Sequence, residues 1–289
     1  MKITLSKYAG FCDGVERAYE TVKKITKKPN VRKPIFVLGS LVHNNDVIDR
    51  IEKLGIKKIE FNGKIREVIG KIDKIGTLII TAHGIGPKIF EIAKQKGIDI
   101  IDTTCPKVTK VQKLAEIFLK RSRKIIIIGK KKHKETMGIF RWTKKQAEII
   151  ESEESVSNLN FPVRSKIIVI SQTTQNKDRV DKIVKKILKK YPEAEILDTV
   201  CNITKSRQQE ARNLARDNDA VLVIGSPDSS NSTELWNIAK KINSNSYFIE
   251  RVEDIKKQWL VGCQNIGITA GASSPKWVIV EVQKYLTKF

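Results

Sequence analysis

The sequence predicts an α/β protein of three pseudo-repeated lobes with largely parallel sheets, and three observations predict it. Short apolar strands alternate with helical patterns along all 289 residues. An Asp-Thr-x-Cys motif occurs twice, as Asp102-Thr103-Thr104-Cys105 and as Asp198-Thr199-Val200-Cys201. Cys12, Cys105 and Cys201 lie 93 residues (105 minus 12) and 96 residues (201 minus 105) apart, each just ahead of a helical pattern, which marks an internal repeat.

The first lobe, residues 1–100, opens with the strand MKITLS. Cys12 follows, and Val15, Ala18, Tyr19, Val22 and Ile25 then line one helical face. The second, 101–197, begins where Ile98, Ile100 and Ile101 read as a buried strand. A polar turn leads to Cys105, Pro106 suits the first helical turn, and Val108, Val111, Leu114, Ala115 and Phe118 recur at helical spacing. The third, 198–289, places Cys201 between the strand-like AEIL and a helix containing Ala211, Leu214 and Ala215. An apolar strand ending in glycine follows each cysteine, at Gly39, Gly129 and Gly225, which lie 27, 24 and 24 residues on. A second strand ends in hydroxyl or small residues at Thr81, Ser171 and Thr269, a further 42, 42 and 44 residues along, so the three units keep register over the whole chain.

Composition excludes several classes. A hydrophobic content of 40% with 30% charged residues describes a globular chain, without an apolar run of membrane length or the layout of a signal peptide, so a cytoplasmic protein is expected. The net charge of +23 invites acidic partners. Much of the lysine, however, covers the outer face of amphipathic helices such as KKIVKKILKKYP (182–193), and no basic cluster is interleaved with aromatics, which disfavours nucleic acid. Four widely spaced cysteines in a long chain argue against a disulfide scaffold, and Cys263 reads as a core thiol.

In α/β sheets ligands gather beyond the carboxyl ends of the strands. The loops there carry His43, His83 and His133, which are all the histidines of the chain, together with Glu135, Thr173, Ser229, Ser230, Asn231 and Ser273. Hydroxyl, amide and imidazole donors beside small residues suit an anionic, oxygen-rich ligand such as a phosphate or diphosphate. Glu135 is the one carboxylate beside a histidine, and so the leading proton donor. A thiol at a helix N-terminus leans toward thiolate, the form that binds metal. Zinc with a fourth ligand and an iron-sulfur cube with one open iron both remain possible, as do a zinc hydrolase or transferase and a nucleic-acid-binding protein with structural cysteines.

The segments GFCDGVERA, LVHNNDVID, TAHGIG, DTTCPKVTKV, SQTT, GSPDSSNS and TAGASSP resemble, in order and from about residue 5 to 285, the motifs of the 4-hydroxy-3-methylbut-2-enyl diphosphate reductase family of the non-mevalonate isoprenoid pathway. The resemblance implies three α/β lobes around a central 4Fe-4S cluster bound by Cys12, Cys105 and Cys201, with the fourth iron open to substrate. It implies substrate contacts from His43, His83, His133, Thr173, Ser229, Ser230, Asn231 and Ser273, and catalytic roles for Glu135, His133 and Thr173. The implied reaction is a two-electron, two-proton reductive dehydroxylation giving isopentenyl and dimethylallyl diphosphate. An acidic donor such as ferredoxin or flavodoxin would supply the electrons to a monomer or weak dimer with no membrane attachment. One position departs from the family pattern: His133-Lys134-Glu135 stands where His-Pro-Glu is expected, and the loss of proline should loosen that loop.

Overall fold

The structure, a computed structural model, describes residues 1–60, 75–162 and 164–289. In chain order its elements are β1 (Lys2–Leu5), α1 (Asp13–Ile25), β2 (Ile35–Leu38), α2 (Asn45–Lys53), β3 (Ile56–Ile59), β4 (Thr77–Ile80), α3 (Lys88–Gln95), β5 (Asp99–Asp102) and α4 (Pro106–Lys120). There follow β6 (Lys124–Ile128), α5 (Lys134–Trp142), β7 (Glu148–Ile150), β8 (Ile167–Ser171), α6 (Lys177–Lys190), β9 (Glu195–Ile196) and α7 (Asn202–Asp217). The last are β10 (Ala220–Ile224), α8 (Ser230–Ile242), β11 (Ser246–Ile249), β12 (Asn265–Ala270) and α9 (Lys276–Leu286).

The strands form three four-stranded sheets, ordered β3-β2-β4-β5, β7-β6-β8-β9 and β11-β10-β12-β1. Every strand pair is parallel. Each sheet therefore has the same order, second-first-third-fourth, provided that β1 is counted as the fourth strand of the last. It pairs with β12 in register from Lys2↔Asn265 to Leu5↔Ile268.

Parallel sheets need helices on both faces, and the isoleucine-rich strands are built for that. In the β6/β8 sheet Ile125, Ile127, Ile168 and Ile170 face Val111 and Ala115 of α4 and Ile139 of α5. Their neighbours Ile126, Ile128, Ile167 and Val169 face Val180, Ile183 and Ile187 of α6. The alternation has period two along the strand, so both faces are filled by one apolar run. The β10/β12 sheet repeats the plan, with Val221 and Val223 against Ala211, Leu214 and Leu235, and Leu222, Ile224 and Ile268 against Val278, Ile279 and Val282.

The stretch expected as a buried strand before Cys105 is instead an edge: β5 has exposed Asp99 and Asp102 and half-buried Ile100 and Ile101. An edge strand has one covered flank, and the acids at its two ends keep the other in water. The chain divides into two compact units. One comprises Met1–Glu16, Val42–Arg50 and Asn202–Phe289, and the other Arg17–Leu41 and Ile51–Cys201. Among the described residues no helix is long and apolar enough to cross a membrane.

Candidate functional site

Each of the three cysteines stands directly before a helix: Cys12 before α1, Cys105 as the N-cap of α4, and Cys201 before α7. Each also follows the fourth strand of a sheet, β1, β5 or β9. The Asp-Thr-x-Cys motif has a bonding reason. Thr103 donates its hydroxyl to the Ile80 carbonyl at 2.5 Å, and Thr199 donates its own to the Ser171 carbonyl at 2.8 Å. Both acceptors are the last residues of the neighbouring strand. Two residues on, the amide of Cys105 donates to Ala82 O (3.0 Å) and that of Cys201 to Thr173 O (2.9 Å). The cysteine backbone is thus hung from the adjacent strand end, with the thiol at the positive end of a helix dipole. Lys107 adds a full charge, its Nζ donating to Cys201 Sγ at 3.3 Å. No disulfide joins the four cysteines. Among the described residues, no three His, Cys, Asp or Glu side chains converge on a point that could hold one metal ion.

In the unit holding Cys105 and Cys201, Glu135 lies in the first turn of α5 and is only 2% exposed. The amide of Thr173 donates to its Oε1 at 2.6 Å and the Thr173 hydroxyl to its Oε2 at 3.0 Å. Burial pushes the Glu135 carboxyl up from 4.5 to about 7, against the two Thr173 hydrogen bonds that favour its ionised form. A carboxyl at that value is poised to give and take a proton near neutrality. His133 caps α5, its Nδ1 accepting from the Glu135 amide at 3.2 Å, and its ring meets that of His83 edge to face with centroids 5.8 Å apart. This cap holds the loop where Lys134 replaces the expected proline. The far end of α5 grips the His83 loop as well, for Trp142 Nε1 donates to Ile85 O at 2.8 Å. Thr173 also links two parts of the site, since its amide serves Glu135 while its carbonyl holds Cys201.

In the other unit the loop after β10 ends in Ser229, the N-cap of α8, whose hydroxyl accepts from the Ser232 amide at 3.3 Å. Ser230 is half-buried at the first position of α8, and Asn231 and Ser273 are buried. Asn231 Nδ2, Ser273 Oγ and Thr269 Oγ1 are buried with no hydrogen-bond partner among the described residues. Such groups cost about 1–3 kcal/mol each when left unpaired, and Asn231 stands in the first turn of α8, where free amides favour an anion. Close approach makes it possible: a Cβ on Gly225 or Gly271 would collide with the Ser232 side chain, so glycine lets α8 sit against both strand ends. His43 is half-buried just before Asn44, which caps α2 through a 3.1 Å bond from the Val47 amide. Asn44, His133 and Ser229 are thus equivalent helix caps in the three repeats.

Sequence patterns alone do not reveal Lys107 or Arg207. Arg207 is buried and donates to Ala270 O at 3.1 Å and to Gly10 O, two residues ahead of Cys12. The only signal for it is a cation that falls on the apolar face of α7 beside Ala211 and Leu214.

A family model described as LytB protein matches residues 3–287. A 4-hydroxy-3-methylbut-2-enyl diphosphate reductase of Caldanaerobacter subterraneus subsp. tengcongensis is 39% identical over 283 residues, covering 98% of this chain and 95% of its own. The protein of the same name from Bacillus subtilis is 34% identical over 281 residues, covering 97% and 88%. Among solved structures, the E-1-hydroxy-2-methyl-but-2-enyl-4-diphosphate reductase of Plasmodium falciparum superposes with a TM-score of 0.90 at 34% identity, over 99% of this chain and 87% of that one. A second, an (E)-4-hydroxy-3-methyl-but-2-enyl diphosphate reductase described as the terminal enzyme of the non-mevalonate pathway, gives 0.71 at 29% identity over the full length of both. With the match running from residue 3 to residue 287 and relatives well over 30% identical along nearly all of it, this chain belongs to the LytB protein family and is an oxidoreductase.

Proposed function

We propose that the chain reduces 4-hydroxy-3-methylbut-2-enyl diphosphate to isopentenyl and dimethylallyl diphosphate, the reaction its relatives' names point to. The observation that carries the chemical step is Glu135: a buried carboxyl held by Thr173 and raised to about 7 can stay protonated until a leaving group needs the proton. The reaction breaks the allylic C–O bond with two electrons. One proton goes to the departing hydroxyl, which leaves as water, and the second ends on carbon, so substrate plus two electrons and two protons gives product and water. Glu135 gives the first proton. Thr173 aims it through both of its hydrogen bonds, and His133 fixes the start of α5 on which it rides.

Ser229, Ser230, Asn231 and Ser273, with His43, His83 and His133, would bind the diphosphate. In support, the unpartnered buried donors around the start of α8 and the histidines at strand ends are of the kind a doubly charged oxyanion satisfies. Cys12, Cys105 and Cys201 would hold a four-iron cluster. In support, the three thiols stand at helix N-termini, with Lys107 on one of them, where thiolate, the form that ligates a metal centre, is favoured. When bound, the cluster supplies the electrons and Lewis acidity at its open iron. A division into lobes at 1–100, 101–197 and 198–289 remains our reading of the repeat. The test is iron, sulfide and zinc content on protein purified without oxygen, beside Cys12→Ser, Cys105→Ser and Cys201→Ser, followed by the reductase assay. The expected result is roughly three to four irons with matching sulfide, lost in each variant together with turnover. Zinc near one per chain without sulfide would overturn it.

A further inference from the structure

The reaction consumes two electrons that no residue of the chain can provide, so a donor must reach the cysteines proposed to hold the cluster. The helix α4 buries Val108, Val111, Gln112 and Ala115 and turns the opposite edge outward. Along that edge Pro106, Lys110, Lys113 and Ile117 follow one another at steps of four, three and four, all of them exposed, and Ile117 is 43% exposed although apolar. A groove of about 550 Å³ runs along this edge, lined among others by Arg17, Thr104, Pro106, Lys110, Lys113 and Ile117. Thr104 and Pro106 are the residues on either side of Cys105, and Arg17 is tied to the first of them by its bond to the Thr104 carbonyl. Arg17, Lys110 and Lys113 face a single acid, Asp102, whose carboxylate already accepts from the Thr104 amide at 2.9 Å and from its hydroxyl at 2.5 Å. Neither Lys110 nor Lys113 forms an ion pair among the described residues.

We infer that this groove, the outer edge of α4 with Arg17, is the docking face for a small acidic one-electron carrier protein, a conclusion that rests on the reductase reading above. Charge complementarity selects the sign of the partner, and the apolar Leu114 and Ile117 beside the lysines distinguish a protein surface from a free polyanion. Nucleic acid would want aromatic platforms for its bases, and the groove lining has none. A helix-wide contact of basic and apolar side chains matches the small, fast and salt-sensitive encounters of electron-transfer proteins. The position matters most. A carrier seated there lies against the residues flanking Cys105, one of the proposed cluster ligands, and electron transfer falls steeply with distance. Two carriers are oxidised by one electron each per turnover, in successive encounters.

The experiment compares wild type with the double variant Lys110→Glu/Lys113→Glu, using a reduced plant-type [2Fe-2S] ferredoxin as the protein donor and dithionite-reduced methyl viologen as a donor that needs no docking. Ferredoxin affinity is also titrated without substrate. The double variant is expected to bind ferredoxin more weakly, raise its KM about tenfold and lose most of the salt dependence, while the viologen rate stays within about twofold of wild type. Ile117→Ser, which removes apolar surface without adding charge, should weaken binding and keep the salt dependence. Unchanged ferredoxin affinity, or a parallel fall with both donors, would overturn the docking face, as would equally tight competition by DNA or anionic vesicles. Wild-type protein that turns over with neither donor would count against the reductase reading, and the ferredoxin titration would still decide the docking face by itself.

Discussion

Replacing Glu135 by glutamine separates its proton from its shape. The two side chains have the same volume, and glutamine keeps an oxygen to accept from the Thr173 amide, so the buried site stays filled and bonded. What disappears is ionisation. The native carboxyl titrates at about 7 because burial penalises its charge, against 4.5 when exposed in the unfolded chain. Between those values the native state holds a proton that the unfolded state has released, so the stability it contributes is complete below about 4.5 and is lost as pH rises through about 7. The shift corresponds to about 3 kcal/mol. Wild-type stability should therefore decline by about that amount across this window relative to Glu135→Gln, leaving the variant the more stable protein at pH 8. Urea denaturation of both proteins at intervals from pH 4.5 to 8.5 measures it. Turnover should move the other way, with kcat down by about 10²–10⁴ in the variant. In wild type, the rate should fall as pH rises through about 7, where the donor loses its proton. Parallel stability profiles for the two proteins, or unchanged kcat, would refute the assignment of a buried, neutral proton donor.

Two further substitutions probe the supports of the site. Thr173→Val deletes the 3.0 Å hydroxyl bond that favours the ionised form of Glu135, so the alkaline limb of the pH–rate profile should move to higher pH, and an unmoved limb would detach the two residues. Arg207→Met leaves the Ala270 and Gly10 carbonyls without their guanidinium and should cost about 3 kcal/mol in denaturation, with faster loss of iron on exposure to air than in wild type. Arg207→Lys should recover part of both, and equal iron retention in all three proteins would mean that Arg207 does not position the Cys12 loop.

Much of this architecture is legible in the residues because its signals are local. Runs such as Ile125–Ile128 and Ile167–Ile170 are apolar on both faces, and the glycines at 39, 129 and 225 mark where each central strand stops. The three cysteines announce helix starts because Asp13, Pro106 and Asn202 begin good helical faces directly after them. Strands β3, β7 and β11 escape such a reading: they are three or four residues long, and IKKI and EII carry charges that fit a helix surface equally well. They exist because a central strand beside them, β2, β6 or β10, supplies the ladder. The Lys107–Cys201 contact spans 94 positions, and no local pattern encodes it.

The threefold repeat looks broken at the N-terminus, where no Asp-Thr-x-Cys precedes Cys12, and the topology explains why it is not. Because β1 is the fourth strand of the sheet made by β10, β11 and β12, the chain begins with what corresponds to β5 and β9. The carbonyl that Thr103 satisfies belongs to Ile80 and the one that Thr199 satisfies belongs to Ser171. The equivalent residue in the third sheet is Ala270, paired with Ile224 as Ser171 is paired with Ile128. Its carbonyl is satisfied by Arg207, which reaches across from α7 and holds Gly10 as well. Seryl or threonyl oxygen would have to come from the loop before Cys12, where Ser6 is the one such residue and already donates its hydroxyl to Glu210. A buried carbonyl at a strand end demands a donor whatever the local sequence, so the repeat keeps the demand and lets the donor change. A guanidinium supplied from another helix costs more to bury than a threonine hydroxyl, and it returns a second bond, the one that fixes the backbone two residues before the cysteine.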